Sequence, residues 1–300
     1  MDFYIAKYKG IEEREFECEI VTPMFLHGAD PQRAELRVPS IKGALRFWWR
    51  AIYGSCNIQK MYEEESGLFG NTSTKSCVKI CIIENNLSSP SQDKISKTTF
   101  NIYEYLAYGY RVKDTIKQHI DKGSFKIRVS YPKSQEGEIS NALQCLFSYS
   151  GLGSKSRNGF GSIQCKDQNM TVLNFNDLPF TKELKPFTAF SENARLFISN
   201  KKHTTWQNAL SEIGEAYKNA KFELKQSNKD RSLIGKPFKT DTSRHSKPYF
   251  MHIHRTGDTT YSGSILYLPY DYHIENKRND YHAACDIMNR CIKSSLGGNL

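Results

Sequence analysis

The sequence predicts an α+β chain, with a split β-α-β-β-α-β unit in its first half and a diverged unit of the same kind after it. Three observations carry this: strand-like alternating stretches, helical stretches placed between them, and apolar residues enough for two cores. The 300 residues are 38% hydrophobic and 25% charged, and include 17 Tyr, 17 Phe and 3 Trp. That length is about two domains at the usual ~100–200 residues each, and the composition excludes wholesale disorder. No run approaches the ~18 apolar residues of a membrane-spanning helix. The start, Met1-Asp2-Phe3-Tyr4, lacks the basic and apolar runs of a secretory signal. A cytoplasmic location without a membrane partner is therefore expected.

Residues 15–22 alternate polar and apolar side chains, as a half-buried strand does. Pro23 opens a loop, and a helix over 41–53 follows, with Ser40 as the expected N-cap and Gly54 as its stop. A strand at 77–83 leads into a polar loop at 84–99, and the Tyr-rich residues 100–110 add a short strand or helical turn. An alternating strand at 124–131, a helix at 136–149 and a strand at about 161–166 complete the unit. This order is the ferredoxin-like one. Beyond Pro179 and Pro186, a strand at 194–199, a helix at 205–222, a basic loop at 225–247, strands near 248–255 and 260–268 and a helix at 280–295 fit a second such unit. The expected domains are residues 1–170 and 171–300.

Lys and Arg number 42 against 32 Asp and Glu, a net charge of +10. A positive field favours polyanions, because each cation that neutralises a phosphate releases condensed counterions. Placement has to decide whether the charge is used. Cys18, Cys56, Cys77, Cys81, Cys145, Cys165, Cys285 and Cys291 include no CxxC pair and read as buried reduced thiols. His252 and His254 can share one strand face, but no third ligand lies nearby in sequence. No metal or cofactor is expected.

Three stretches carry candidate chemistry. On the 41–53 helix Lys42, Arg46 and Arg50 fall at i, i+4 and i+8 and form one basic stripe, while the helix N-terminus offers free N–H groups. The same spacing equally describes a solvated face over core tryptophans. The second stretch runs Gly151-Leu152-Gly153-Ser154-Lys155-Ser156-Arg157-Asn158-Gly159-Phe160-Gly161. Four glycines permit close backbone approach and positive φ, so amides can line a phosphate chain beside Lys155 and Arg157. It lacks the Walker A pattern, and a structural turn is the alternative. The third is the basic loop, which ends in Arg244-His245-Ser246-Lys247-Pro248 just before a strand. Trp48 and Trp49 are candidates for stacking on bases, with core packing the stronger expectation for at least one. No nucleophile or metal motif of comparable strength is present. His27 and Asp30, in one loop, are a candidate acid–base pair for RNA cleavage, although Asp before Pro31 is also a turn former.

The block Pro39-Ser40-Ile41-Lys42-Gly43-Ala44-Leu45-Arg46 resembles the helix-opening signature of the RAMP superfamily of CRISPR proteins, and 151–161 resembles its glycine-rich loop. Thr22-Pro23-Met24-Phe25-Leu26, Gly28-Ala29-Asp30, Ala34-Glu35-Leu36-Arg37 and Phe47-Trp48-Trp49-Arg50 are similar to the first RAMP subunit of type III-B (Cmr) effectors. So are Leu68-Phe69-Gly70, Tyr105-Leu106-Ala107-Tyr108-Gly109 and 244–248. Asn158 stands where that loop often has a second arginine, and His27 where glycine is common. The resemblance spans about residues 20–270. It implies two ferredoxin-like (RRM-like) domains with long loop insertions. It also implies a non-catalytic, RNA-binding place at the head of the particle, with guide (crRNA) and target RNA and the other RAMP subunits as partners. The RNA-contacting set would be Lys42, Arg46, Arg50, Gly151, Gly153, Ser154, Lys155, Arg157, Asn158, Gly159, Gly161, Arg244, His245 and Lys247. A RAMP-type endonuclease using Asp30 and His27, or a protein–protein cap, are the alternatives.

Overall fold

The computed structural model describes residues 10–89, 102–109, 111–112, 115–166, 174–227, 229, 231–235 and 246–297. The first unit is built from β1 (Ile11–Ile20), α1 (Val38–Tyr53), α2 (Ile58–Phe69), β2 (Lys79–Ser88) and a short α3 (Ile102–Leu106). A two-residue hairpin, β3 (Arg111–Val112) with β4 (Thr115–Ile116), follows, and then β5 (Lys122–Pro132), α4 (Glu136–Tyr149) and β6 (Ile163–Cys165). The four main strands form an antiparallel sheet in the order β2-β5-β1-β6. Numbered within the unit this is 2-3-1-4, the ferredoxin-like arrangement.

The second unit comprises β7 (Arg195–Ile198), α5 (Trp206–Gln226), β8 (Tyr249–Gly257), β9 (Thr260–Tyr267) and α6 (Arg278–Leu296). Its antiparallel sheet runs β7-β9-β8, the 1-3-2 core of the same topology. The chain is thus an α+β protein of two ferredoxin-like units.

Alternation decides which face of the first sheet is covered. Phe16 and Cys18 of β1 and Phe125, Ile127, Val129 and Tyr131 of β5 are buried in the core under α1 and α4. The intervening residues carry charge on the open face. Arg128 pairs with Glu15 at 2.7 Å and Glu13 at 3.3 Å, Lys126 with Glu84 at 3.0 Å, and Lys166 with Glu17 at 3.3 Å. An RRM-like sheet face that stacks bases would present aromatics instead. This face is a neutralised ladder of cross-strand ion pairs.

Several local expectations change. Helix α1 begins earlier than predicted: Arg37 is the N-cap, and Pro39 sits in the first turn, where its fixed φ suits the helix and its missing N–H costs nothing. Ser40 is inside the helix and caps nothing. Helix α2, unrecognised in the sequence, starts where the Asn57 side chain accepts from the Lys60 N–H at 3.1 Å. Strand β2 runs on to Ser88 through residues that read as loop, because it pairs with β5 around a bulge between Ile82 and Glu84. All eight cysteines are free, but Cys56, Cys77 and Cys81 are exposed rather than buried. Residues 228, 230 and 236–245 of the predicted basic loop, with Arg244 and His245 among them, lie outside the described residues. No helix among the described residues is long and apolar enough to cross a membrane.

Candidate nucleic-acid interface at the glycine-rich loop

The 151–161 loop carries the chain from α4 to β6 between the two units, and its conformation is dictated by contacts on both sides. Gly161 has φ +68°, and a Cβ there would stand 2.0 Å from the Leu152 carbonyl oxygen. Gly153 has φ +88°, with the Phe25 carbonyl 2.5 Å from an added Cβ. Lys155 also adopts a positive φ, 63°, which a side chain rarely tolerates. Many loop amides are already used. Leu152 N donates to Gly161 O at 2.9 Å, Ser154 N to Phe25 O at 2.8 Å and Gly161 N to Pro23 O at 2.8 Å. The glycines therefore serve backbone packing first, and these amides are not free to line a phosphate chain as the sequence suggested.

Strand β8 holds the loop from the second unit. Asn158 forms a parallel bridge with Met251, and the Asn158 side chain donates to Leu106 O at 2.8 Å. The His252 Nδ1–H donates to the Ser150 carbonyl at 2.5 Å, just before the loop. Burial, and then neighbouring His254, push the His252 imidazole well below the ordinary histidine range, so it is neutral.

Two of the predicted cations meet here. The Arg157 guanidinium lies 4.4 Å from the Phe250 ring centroid and 5.4 Å from that of Phe47, and donates to the Lys247 carbonyl. Lys247 Nζ donates to Arg157 O at 3.0 Å and Asn158 Oδ1 at 2.8 Å, and sits 4.1 Å from the Tyr217 ring centroid. Lys221, which the sequence reading passed over, approaches the same ring at 5.9 Å. Burial, followed by the charges of Lys221, Arg157 and Lys155, drives the Lys247 ammonium well below the ordinary lysine range. Burial brings Arg157 down to about 10, still charged at neutral pH, and lowers Lys155. Among the described residues no carboxylate pairs with Arg157, Lys221 or Lys247.

A cavity of about 490 Å³ opens between this loop and α1. Gly151, Gly153, Ser154, Ser156 and Arg157 line it on one side, and Ser40, Ala44 and Phe47 on the other, at i, i+4 and i+7 of the helix. The loop and the N-terminal turn of α1 thus converge. The basic stripe does not join them, because it lies on another face. Arg46 and Arg50 both pair with Glu65 of α2, at 2.5 and 2.6 Å, and that carboxylate is buried. Lys42 donates to Ser76 Oγ at 2.6 Å. Trp48 and Trp49 are core residues, 0% and 3% exposed, and Trp49 Nε1 donates to Glu138 at 2.7 Å, which removes both as stacking platforms.

The candidate acid–base pair is not assembled. Asp30 is exposed and accepts the Gln32 N–H at 2.8 Å in a local turn, while His27 is half-buried at the cavity with Nε2 unpartnered. No group of three or more His, Cys, Asp or Glu among the described residues has the arrangement of a metal site.

A ferredoxin-like unit whose second helix feeds a glycine-framed, cationic loop at its junction with another such unit defines the class: a RAMP-type, RRM-like fold. The RAMP superfamily profile matches residues 17–164 of this chain. It is 30% identical over 190 residues to the CRISPR system Cmr subunit Cmr1-1 of Pyrococcus furiosus, covering 60% of this chain. The matched stretch spans 55% of that relative, little more than half its length. It is 29% identical over 176 residues to Cmr1-2 of the same organism, covering 51% of this chain and 94% of the relative. The fold is similar to the crystal structure of apo Cmr1 from Pyrococcus furiosus, with a TM-score of 0.56 at 21% identity over 96% of this chain and 98% of that one. It is also similar to a chain in the cryo-EM structure of the type III-B Cmr-beta complex bound to cognate target RNA, with a TM-score of 0.53 at 13% identity over 94% and 100% of the two chains.

Proposed function

We propose that this chain is a non-catalytic RNA-binding subunit of a type III-B CRISPR effector in antiviral defence. It holds the 3′ part of the guide RNA and the paired target at the head of the particle, beside other RAMP subunits. The observation that carries the reading is the glycine-rich loop, whose Arg157 opens, without a carboxylate partner among the described residues, onto the cavity that also receives the N-terminal turn of α1. Fixed cations at an uncompensated site suit a phosphate backbone, while base pairing with the guide supplies sequence specificity. The similarity to Cmr1 subunits supports the same assignment. The separation of Asp30 from His27 favours binding over cleavage, and the division near residue 170 separates the loop-bearing unit from the one that braces it.

Equilibrium binding of the purified chain to single-stranded RNA tests this. Affinity falls steeply between ~50 and ~200 mM salt, with a log–log slope that scales with the phosphates neutralised. Arg157→Ala with Lys155→Ala lowers both affinity and slope. A slope near zero in the wild type overturns the reading. So does loss of target cleavage by the assembled particle on Asp30→Ala with assembly intact, since general acid–base groups typically contribute about 10²–10⁴-fold.

A further inference from the structure

The aromatic side chains around the cavity are not equivalent. Phe25, Trp48 and Phe250 contribute to its wall but are buried, at 1%, 0% and 3% exposure. Phe47 is half-buried, so part of its ring faces the space. It is held edge-on to Trp48 at 5.2 Å and 83°, and packs on Phe250 at 5.6 Å. The Arg157 guanidinium, a planar cation, lies beside it. Ser40, Ser154 and Ser156 line the same cavity and bring hydroxyls to it.

A site for phosphate alone needs cations and amides, not an aromatic surface. This one pairs an aromatic ring and a guanidinium with several hydroxyls, in a volume within the usual ~300–1,000 Å³ of small-molecule sites. A nucleobase has the matching chemistry: flat apolar faces that stack on rings and guanidinium planes, and edges that hydrogen-bond. We propose that the cavity takes a single nucleobase turned out of the bound RNA, stacked against Phe47 and Arg157 with its edge toward the serine hydroxyls. The proposal rests on the RNA-binding reading and adds a base-stacking site to it. The stacking residue is then Phe47, not the tryptophans that follow it.

The test compares binding of the whole chain to a short single-stranded RNA and to a strand of equal length and phosphate count with every base removed. The wild type is expected to prefer the intact strand by about tenfold or more, the scale of one stacked base. Phe47→Leu, which keeps apolar bulk but no π face, and Ala44→Phe, which fills the cavity from α1, both lose that preference, whereas Phe47→Tyr retains it. The salt slope stays at the wild-type value in the two Phe47 variants, because no phosphate contact is removed. Equal wild-type affinity for the two strands, or a preference that survives both Phe47→Leu and Ala44→Phe, overturns the base site and leaves backbone binding standing. No wild-type binding to either strand overturns the RNA-binding reading itself.

Discussion

Lys247 and Arg157 brace one another through their main chains: the Lys247 ammonium donates to the Arg157 carbonyl at 3.0 Å, and the Arg157 guanidinium donates to the Lys247 carbonyl. The two basic side chains are held together by backbone carbonyls and by the faces of Tyr217, Phe47 and Phe250. The arrangement ties the glycine-rich loop of the first unit to the entry of β8 in the second, so the cation facing the cavity is positioned by both.

Lys247→Met keeps the aliphatic stem but leaves the Asn158 side-chain oxygen without its donor and the Arg157 carbonyl with only the Met251 N–H, at 3.3 Å. Unfolding in urea should show a loss of about 1–3 kcal/mol, the usual cost of an orphaned buried acceptor. RNA affinity should fall with it. A variant of unchanged stability would show that the brace does not hold the loop.

Glu65 pairs with both Arg46 and Arg50 and offsets one of their two charges, and both arginines are about one-third exposed, at 31% and 33%. Arg46→Ala and Arg50→Ala should therefore lower stability by about 1–2 kcal/mol each, less than a fully buried pair because solvent screens the arginine side. RNA affinity should drop far less than on Arg157→Ala. A larger RNA effect at Arg46 than at Arg157 would return the basic stripe to the interface.

Glycine substitutions should split by position. Gly161→Ala forces a Cβ to within 2.0 Å of a carbonyl oxygen at positive φ and should destabilise by more than ~3 kcal/mol or abolish folding. Gly43→Ala, on α1 with nothing within 4 Å of the added Cβ, should stabilise by roughly 0.5–1 kcal/mol. Thermal melts of the two variants read both effects.

Acid should weaken the packing around β8. Desolvation, reinforced by the charge of Lys202, lowers His254 from the ordinary 6.5 to about 4. Between those values the unfolded chain binds a proton that the folded chain refuses, so stability falls as pH drops from about 6.5 to 4. The depressed His252 adds loss in the same direction. His254→Gln should flatten the pH dependence of the urea midpoint over that window. A wild-type midpoint constant from pH 7 to 4.5 would mean that neither ring is held neutral.

The basic stripe illustrates where sequence reading stops. Spacing placed Lys42, Arg46 and Arg50 on one helical face, and they do share one. That Glu65 waits opposite depended on α2, a short helix with three consecutive glutamates at its middle, and on the angle at which two helices pack. Phe47 was hidden for the same reason: it sits beside two larger tryptophans, and only the depth of each side chain separates platform from core.

Apart from α2 and the β3–β4 hairpin, the order and type of the strands and helices of both units were determined by the sequence itself, because hydrophobic periodicity is a local property of the chain. So was the glycine-rich loop, since several of its positions admit no side chain. Which cations remain uncompensated was decided by tertiary structure alone. Charge is offset across space: Glu65 reaches Arg46 and Arg50 from another helix, whereas Arg157 is met, from 90 residues further along the chain, by the uncharged carbonyl of Lys247.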